Sequence, residues 1–126
     1  MVPTDLRYTR EHEWVRVEDG VATVGITAHA ADQLGDIVFV ELPAVGTAVS
    51  AGKTFGVVES VKAVSDLFAP VSGSVLETNG ELGGSPELAN SDPFGAGWMI
   101  RISVADAGEL DALLDAAAYE KLVAEG

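Results

Sequence analysis

The chain has no cysteine. That absence removes disulfides, thiolate metal sites and a cysteine nucleophile together. Any thiol chemistry must therefore come from a bound group. An intracellular setting is compatible with it. Basic residues are also few, 7 against 20 acidic, for a net charge of -13. A surface of that sign repels phosphate backbones, which argues against nucleic-acid binding. It suits a protein that must stay soluble, and one that docks on basic patches of partners. No apolar run approaches ~20 residues, so no membrane span is expected. The start, Met1-Val2-Pro3-Thr4-Asp5, lacks the basic and apolar regions of a signal peptide and the arginines of a transit segment. The expectation is a chain complete from its first residue and cytoplasmic. Heavy use of Ala, Gly and Asp points to a bacterial source.

Catalytic constellations are missing as well. His12 and His29 are the only imidazoles, and no Ser-His-Asp context surrounds them. With a nearby carboxylate they could make a metal site, but their spacing matches no metal motif. Gly95-Ala96-Gly97-Trp98 lacks the third glycine and the strand-then-helix setting of a dinucleotide loop. The chain is therefore expected to be no enzyme in its own right.

What is present is a series of short strands. At 126 residues the length fits one domain, residues 1–126. Such a chain can bury roughly two-thirds of its unfolded surface without staples. Trp14–Glu18 and Val21–Ile26 flank Asp19-Gly20, a strong hairpin signal. Thr27 can cap a short helix over Ala28–Leu34, with Gly35 as its stop. Asp36–Leu42 is a strand ended by Pro43. Residues 79–98 hold five glycines and two prolines and form a loop, with one helical turn at Pro86–Ala89. Trp98–Val104 is a closing strand. Leu110, Leu113 and Leu114, then Tyr119, Leu122 and Val123, repeat the i, i+3, i+4 spacing of a helix packed on the strands. The helical tail is placed at about residues 106–125. The fold class is mainly β, a flattened barrel or sandwich with a short helix in the N-terminal half and C-terminal helices.

Lys62 is one of three lysines, with Lys53 and Lys121. Thr54–Val58 and Val64–Pro70 are apolar, β-branched runs on either side of Glu59–Ala63, the pattern of a hairpin with Lys62 at its turn. On this local pattern alone Lys62 reads first as an ordinary solvated turn residue. The flanks add to it. Pro43–Gly52 and Ala69–Gly80 are strand pieces with Gly and Pro, set symmetrically about the hairpin. The module runs from about residue 46 to 77, and it resembles the biotinyl/lipoyl carrier fold. Biotinyl domains carry Met beside their lysine; Val61 and Ala63 look lipoyl instead.

Further blocks narrow the resemblance. Tyr8–Val15 contains His12-Glu13-Trp14. Val24–Ala30, Leu34–Pro43, Val58–Ala63 and Pro86–Trp98 follow in order. Together they resemble the glycine cleavage system H protein over nearly the whole chain. The resemblance implies a lipoyl group (lipoate) bound covalently to Lys62, on an arm of the order of 15 Å by standard bond lengths. It implies an aminomethyl group loaded by a pyridoxal-phosphate decarboxylase (P protein) and passed on by an aminomethyltransferase (T protein). A flavin dihydrolipoyl dehydrogenase (L protein) would reoxidise the dithiol, and a lipoate ligase or octanoyltransferase would attach the arm. It also implies a cleft that protects the loaded arm, with Glu13 and Asp66 as acidic members. Otherwise Glu13 is a solvated strand-edge acid and Asp66 a post-turn residue on an exposed face. Some family members have a histidine in the short helix where this chain has Gln33, an amide that can bond a methylamine but not titrate. Other readings are a lipoyl or octanoyl relay to other carrier domains, an unmodified structural barrel, and a biotinyl carrier.

Overall fold

The strands follow from short alternating runs closed by turns that few residues tolerate. The computed structural model describes residues 2–125. Strands β1 (Arg7–Tyr8), β2 (Glu13–Glu18) and β3 (Val21–Ile26) run antiparallel in that order. Asp19 and Gly20 join β2 to β3 with φ of 51° and 77°. Two positive φ values match the strand twist of a tight hairpin, which is what Asp-Gly supplies. Helix α1 (Ala28–Leu34) follows as expected. Thr27 Oγ1 accepts from the Ala30 amide at its start, and the Gly35 amide donates to Ala31 at its end.

Six more strands complete two sheets. They are β4 (Ile37–Glu41), β5 (Ala48–Val49), β6 (Thr54–Ser60), β7 (Val64–Phe68), β8 (Gly73–Thr78) and β9 (Ile100–Val104). One sheet has the order β1-β2-β3-β9-β8-β5, the other β4-β6-β7. They face each other over a core that includes Val24, Ile26, Val40, Val58, Leu67 and Ile102. Each such side chain contributes about 1.5–3 kcal/mol by leaving water. Neither sheet closes on itself, which is the flattened barrel or sandwich expected. A second cluster, Leu6, Tyr8, Trp14, Ala116 and Tyr119, packs apart from the first.

Two local expectations need correction. The loop of residues 79–98 holds two helical turns, α2 (Glu81–Gly84) and α3 (Leu88–Ser91), instead of one at Pro86–Ala89. Asn79 starts the first: Oδ1 accepts from the Glu81 amide while Nδ2 donates to the Ala96 and Trp98 carbonyls. The tail is not one helix. A 3-10 segment covers Ala107–Ala112, and α4 covers Ala116–Glu125. Leu113 between them is extended, and Leu114 exchanges two backbone hydrogen bonds of 2.8 Å with Tyr8. The leucine spacing suited a helix, but pairing with β1 satisfies the same backbone groups and still buries part of Leu114. Asp115 then caps α4, its Oδ1 accepting from the Ala118 amide at 2.8 Å. Among the described residues no helix is long and apolar enough to cross a membrane.

β8 lies against β9 at a point only glycine permits. A Cβ on Gly73 would sit 1.7 Å from the Ser103 carbonyl oxygen. Gly73→Ala is therefore expected to cost more than about 3 kcal/mol, by forcing the strand pair apart. Gly80 has open space around it and a helical backbone, so Gly80→Ala should be neutral or stabilising by up to about 1 kcal/mol. Urea unfolding of both variants checks the contrast, and equal midpoints would contradict it.

Candidate functional site

The β6–β7 hairpin presents Lys62. β6 ends at Ser60, β7 begins at Val64, and residues 61–63 make the turn. Ser60 holds that turn. Its amide donates to the Ala63 carbonyl at 2.8 Å. Its Oγ accepts from the Lys62 and Ala63 amides at 3.3 and 3.1 Å. A short hydroxyl side chain substitutes here for missing ladder bonds. The Val61 amide donates to the Asp36 carbonyl at 3.0 Å and moors the tip beside β4. Val61 through Val64 are all exposed. The Lys62 stem passes Gly35, where a Cβ would lie 3.4 Å from Cε. The backbone is fixed while the amine stays accessible. Lys53 lies in an exposed turn between strands of different sheets, and Lys121 lies on α4. Neither occupies a hairpin tip.

Beside the hairpin is a cleft of about 130 Å³. β2 and the turn before it contribute Glu11, His12 and Glu13; α1 contributes Ala30, Gln33 and Leu34; the hairpin contributes Val58 and Ser65–Leu67. Glu13, Gln33 and Asp66 thus border one space, although they come from three separate elements. Gln33 and Asp66 are exposed. Asp66 opposes Val57 in the ladder, while Ser65 opposes the buried Val58. Successive strand side chains alternate faces. Asp66 therefore stands at the rim, on the outer pleat.

Glu13 is not the solvated edge acid of the alternative reading; it is 1% exposed. β1 covers the edge of β2, with Tyr8 opposite Trp14. Thr9 Oγ1 donates to Glu13 Oε1, and the Phe68 amide donates to Oε2 at 3.3 Å. Burial pushes the carboxyl up to about 7, and those two hydrogen bonds only partly oppose it. Desolvation disfavours the charged form unless a cation arrives. On its other side Glu13 borders a wider hollow of about 380 Å³, lined in part by Arg10, Phe68, Pro70 and Leu113. The hairpin reaches that hollow only at Phe68, the end of β7 away from the Lys62 turn.

Sequence reasoning did not find Ser60, Thr9 or the backbone of His12. His12 has φ of 71°, unusual for a side chain of its size. No sequence pattern announces it. The Thr9 hydroxyl accepts from the Glu11 and Glu13 amides at 3.2 and 3.1 Å. A threonine opening a turn was the one available signal. The rings of His12 and His29 approach to 4.8 Å. Among the described residues, no three His, Asp or Glu side chains converge as a metal would require.

A family model described as glycine cleavage H-protein matches residues 6–126. The chain is 57% identical over 125 residues to the glycine cleavage system H protein of Carboxydothermus hydrogenoformans, covering 99% of this chain and 96% of that one. It is 60% identical over 125 residues to that of Halorhodospira halophila, covering 98% and 96%. A crystal structure of a glycine cleavage system H protein from Mycobacterium marinum superposes with a TM-score of 0.91 at 43% identity, over 98% of this chain and 99% of that one. The matched residues include the Lys62 hairpin and the cleft beside it, and the chain belongs to the glycine cleavage H-protein family.

Proposed function

We propose that this chain is the lipoyl carrier of the glycine cleavage system, with Lys62 as its single attachment point. The observation that carries the reading is an exposed amine on a pinned turn, next to a cleft with a dry carboxylate. The residues fit a lipoyl group on structural grounds. The Lys62 amine is reachable by a modifying enzyme, and the adjacent cleft is apolar at Ile26, Leu34, Val58 and Leu67 and acidic at Glu13 and Asp66. When bound, the group supplies the sulfur chemistry for taking up the aminomethyl unit of glycine, which a chain without cysteine lacks.

The chain's own residues position and protect. Ser60 holds the turn so that Lys62 projects from a fixed base. Glu13 offers a carboxylate in a site of low effective dielectric, where a methylammonium would gain more than in open water. Asp66 adds a second, weaker attraction at the rim, where solvent screens it. Gln33 can accept a hydrogen bond from the amine through its amide oxygen. Water exclusion by the apolar walls slows loss of the amine. On this reading the protein is a non-catalytic substrate of the P, T and L proteins and of a lipoate ligase or octanoyltransferase. It works in the bacterial cytoplasm, and its negative surface suits docking on basic partner patches.

Three outcomes are expected. Lys62→Arg keeps the charge but removes the acylable primary amine. After treatment with a lipoate ligase, peptide mapping should find lipoate on Lys62 alone and none on the variant. Lipoate on Lys53 or Lys121 would contradict the assignment. Glu13→Ala and Asp66→Ala should both still accept lipoate. Charged with the aminomethyl unit and isolated, they should release ammonia faster than wild type. The expected factor is about tenfold per ~1.4 kcal/mol of lost attraction, larger for Glu13. Half-lives equal to wild type in both would remove these acids from the cleft's function.

The third concerns stability of the unmodified chain. The Glu13 carboxyl rises from 4.5 to about 7 on folding. A raised acid favours the folded state below its unfolded value and loses that contribution as pH rises through the folded one. Between pH 4.5 and 7 it should therefore remove about 3 kcal/mol of stability. In Glu13→Gln that component of the pH dependence should vanish. Urea unfolding across this range checks it, and parallel curves for the two proteins would contradict it.

A further inference from the structure

Two of the cleft's three walls come from the N-terminal half of the chain. One is the chain entering β2, which carries Glu13. The other is α1, which carries Gln33. A residue outside the cleft adds a side-chain link between them. Tyr119 on α4 is fully buried. Its hydroxyl lies 2.8 Å from His12 Nδ1 and 2.8 Å from Thr27 Oγ1. Thr27 Oγ1 in turn caps α1 through the Ala30 amide. With His12 neutral at Nδ1, the phenol donates to the imidazole and accepts from the threonine, and every group is satisfied. Among the described residues, no buried side-chain polar atom lacks a partner.

His12 needs such support. Its left-handed backbone is costly for a residue with a side chain, and it persists where surroundings over-determine it. The His12 amide donates to the Thr9 carbonyl at 3.2 Å, and its carbonyl accepts from the Thr27 amide at 3.0 Å. The ring bond to Tyr119 is the third restraint. Glu13 comes next in the chain, so the angle set at His12 aims Glu13 between the sheets. We infer that Tyr119 is a positioning residue for the carrier cleft. Its phenol locks the entry of β2 to the start of α1, so that Glu13 and Gln33 border the same space. The C-terminal helix is thereby part of the cleft's construction without lining it.

Tyr8 supplies the control. It stacks on Tyr119 at 4.7 Å and is equally buried, but its hydroxyl bonds to the Pro3 carbonyl. Tyr8→Phe thus loses a hydrogen bond of the same kind in the same aromatic cluster, without touching His12 or Thr27.

The inference rests on reading the cleft as the site that receives a cation, but its test uses the unmodified chain and needs no lipoate. Carbon-13 NMR follows the Glu13 side-chain carboxyl through a pH titration, and hydrogen exchange follows the Ala30 amide. In Tyr119→Phe the Glu13 midpoint should fall from about 7 by about half a unit or more, as water reaches a looser cleft. The Ala30 amide should exchange roughly tenfold faster as the cap of α1 loosens. Tyr8→Phe should change neither. His12→Gly keeps the left-handed backbone and leaves no side chain to bond the phenol, and should reproduce the Tyr119→Phe shifts. It decides the question by the same readouts if Tyr119→Phe does not fold. A Glu13 midpoint unchanged in Tyr119→Phe, or moved equally by Tyr8→Phe, would overturn the proposal. Failure of the wild-type chain to accept lipoate would sink the carrier reading instead and leave this measurement standing.

Discussion

The Glu13 carboxylate ties the two sheets together at the point where the cleft forms. It belongs to β2 of the six-stranded sheet, and its Oε2 accepts from the Phe68 amide of β7 in the three-stranded one. Thr9 holds the other oxygen. A carboxylate so placed is expensive to ionise, and its high pKa records that cost. The surrounding structure maintains it: β1 covers the strand edge, His12 adopts an unfavourable backbone angle, and α4 reaches in with Tyr119. Stability alone would favour an apolar residue at this position. Retaining the acid makes sense where a cation is to be met in a place that water does not enter freely.

Lys62 answers the opposite requirement. On the carrier reading its amine is met by partner proteins, and it stands within a run of four exposed residues, 61–64. A loose tip would also be exposed, but it would not aim anything. Ser60 and the bond from Val61 to Asp36 remove that freedom from the backbone and leave it to the side chain. The carrier reading unites the two halves: a mobile arm on a rigid base, beside a site suited to holding what the arm brings.

Much of this was legible in the chain. Asp19-Gly20, Thr27 with Gly35, and the β-branched runs around Lys62 are local signals, and the local physics that produces them is not overridden by packing. The family blocks supplied Glu13, Asp66 and Gln33, which the fold brings to one cleft. The failures share a cause. Leu113 and Leu114 have helical spacing, but a backbone bridge to Tyr8, over a hundred residues away, decides their conformation. The burial of Glu13 depends on β1 and β7, and the left-handed turn at His12 depends on Thr27 and Tyr119. Periodicity reports the faces of one element and is blind to which distant element covers them. The alternation in β7 put Asp66 on the outer pleat, a rim position that no motif match could convey.

On the carrier reading the Lys62 amine bears a lipoyl group in the cell. The direct measurement is the intact mass of the protein purified from its own source, followed by fragmentation. A mass increase of one lipoyl group, localised to Lys62, is expected. An unmodified mass under lipoate-replete growth, or a biotinyl mass, would contradict it.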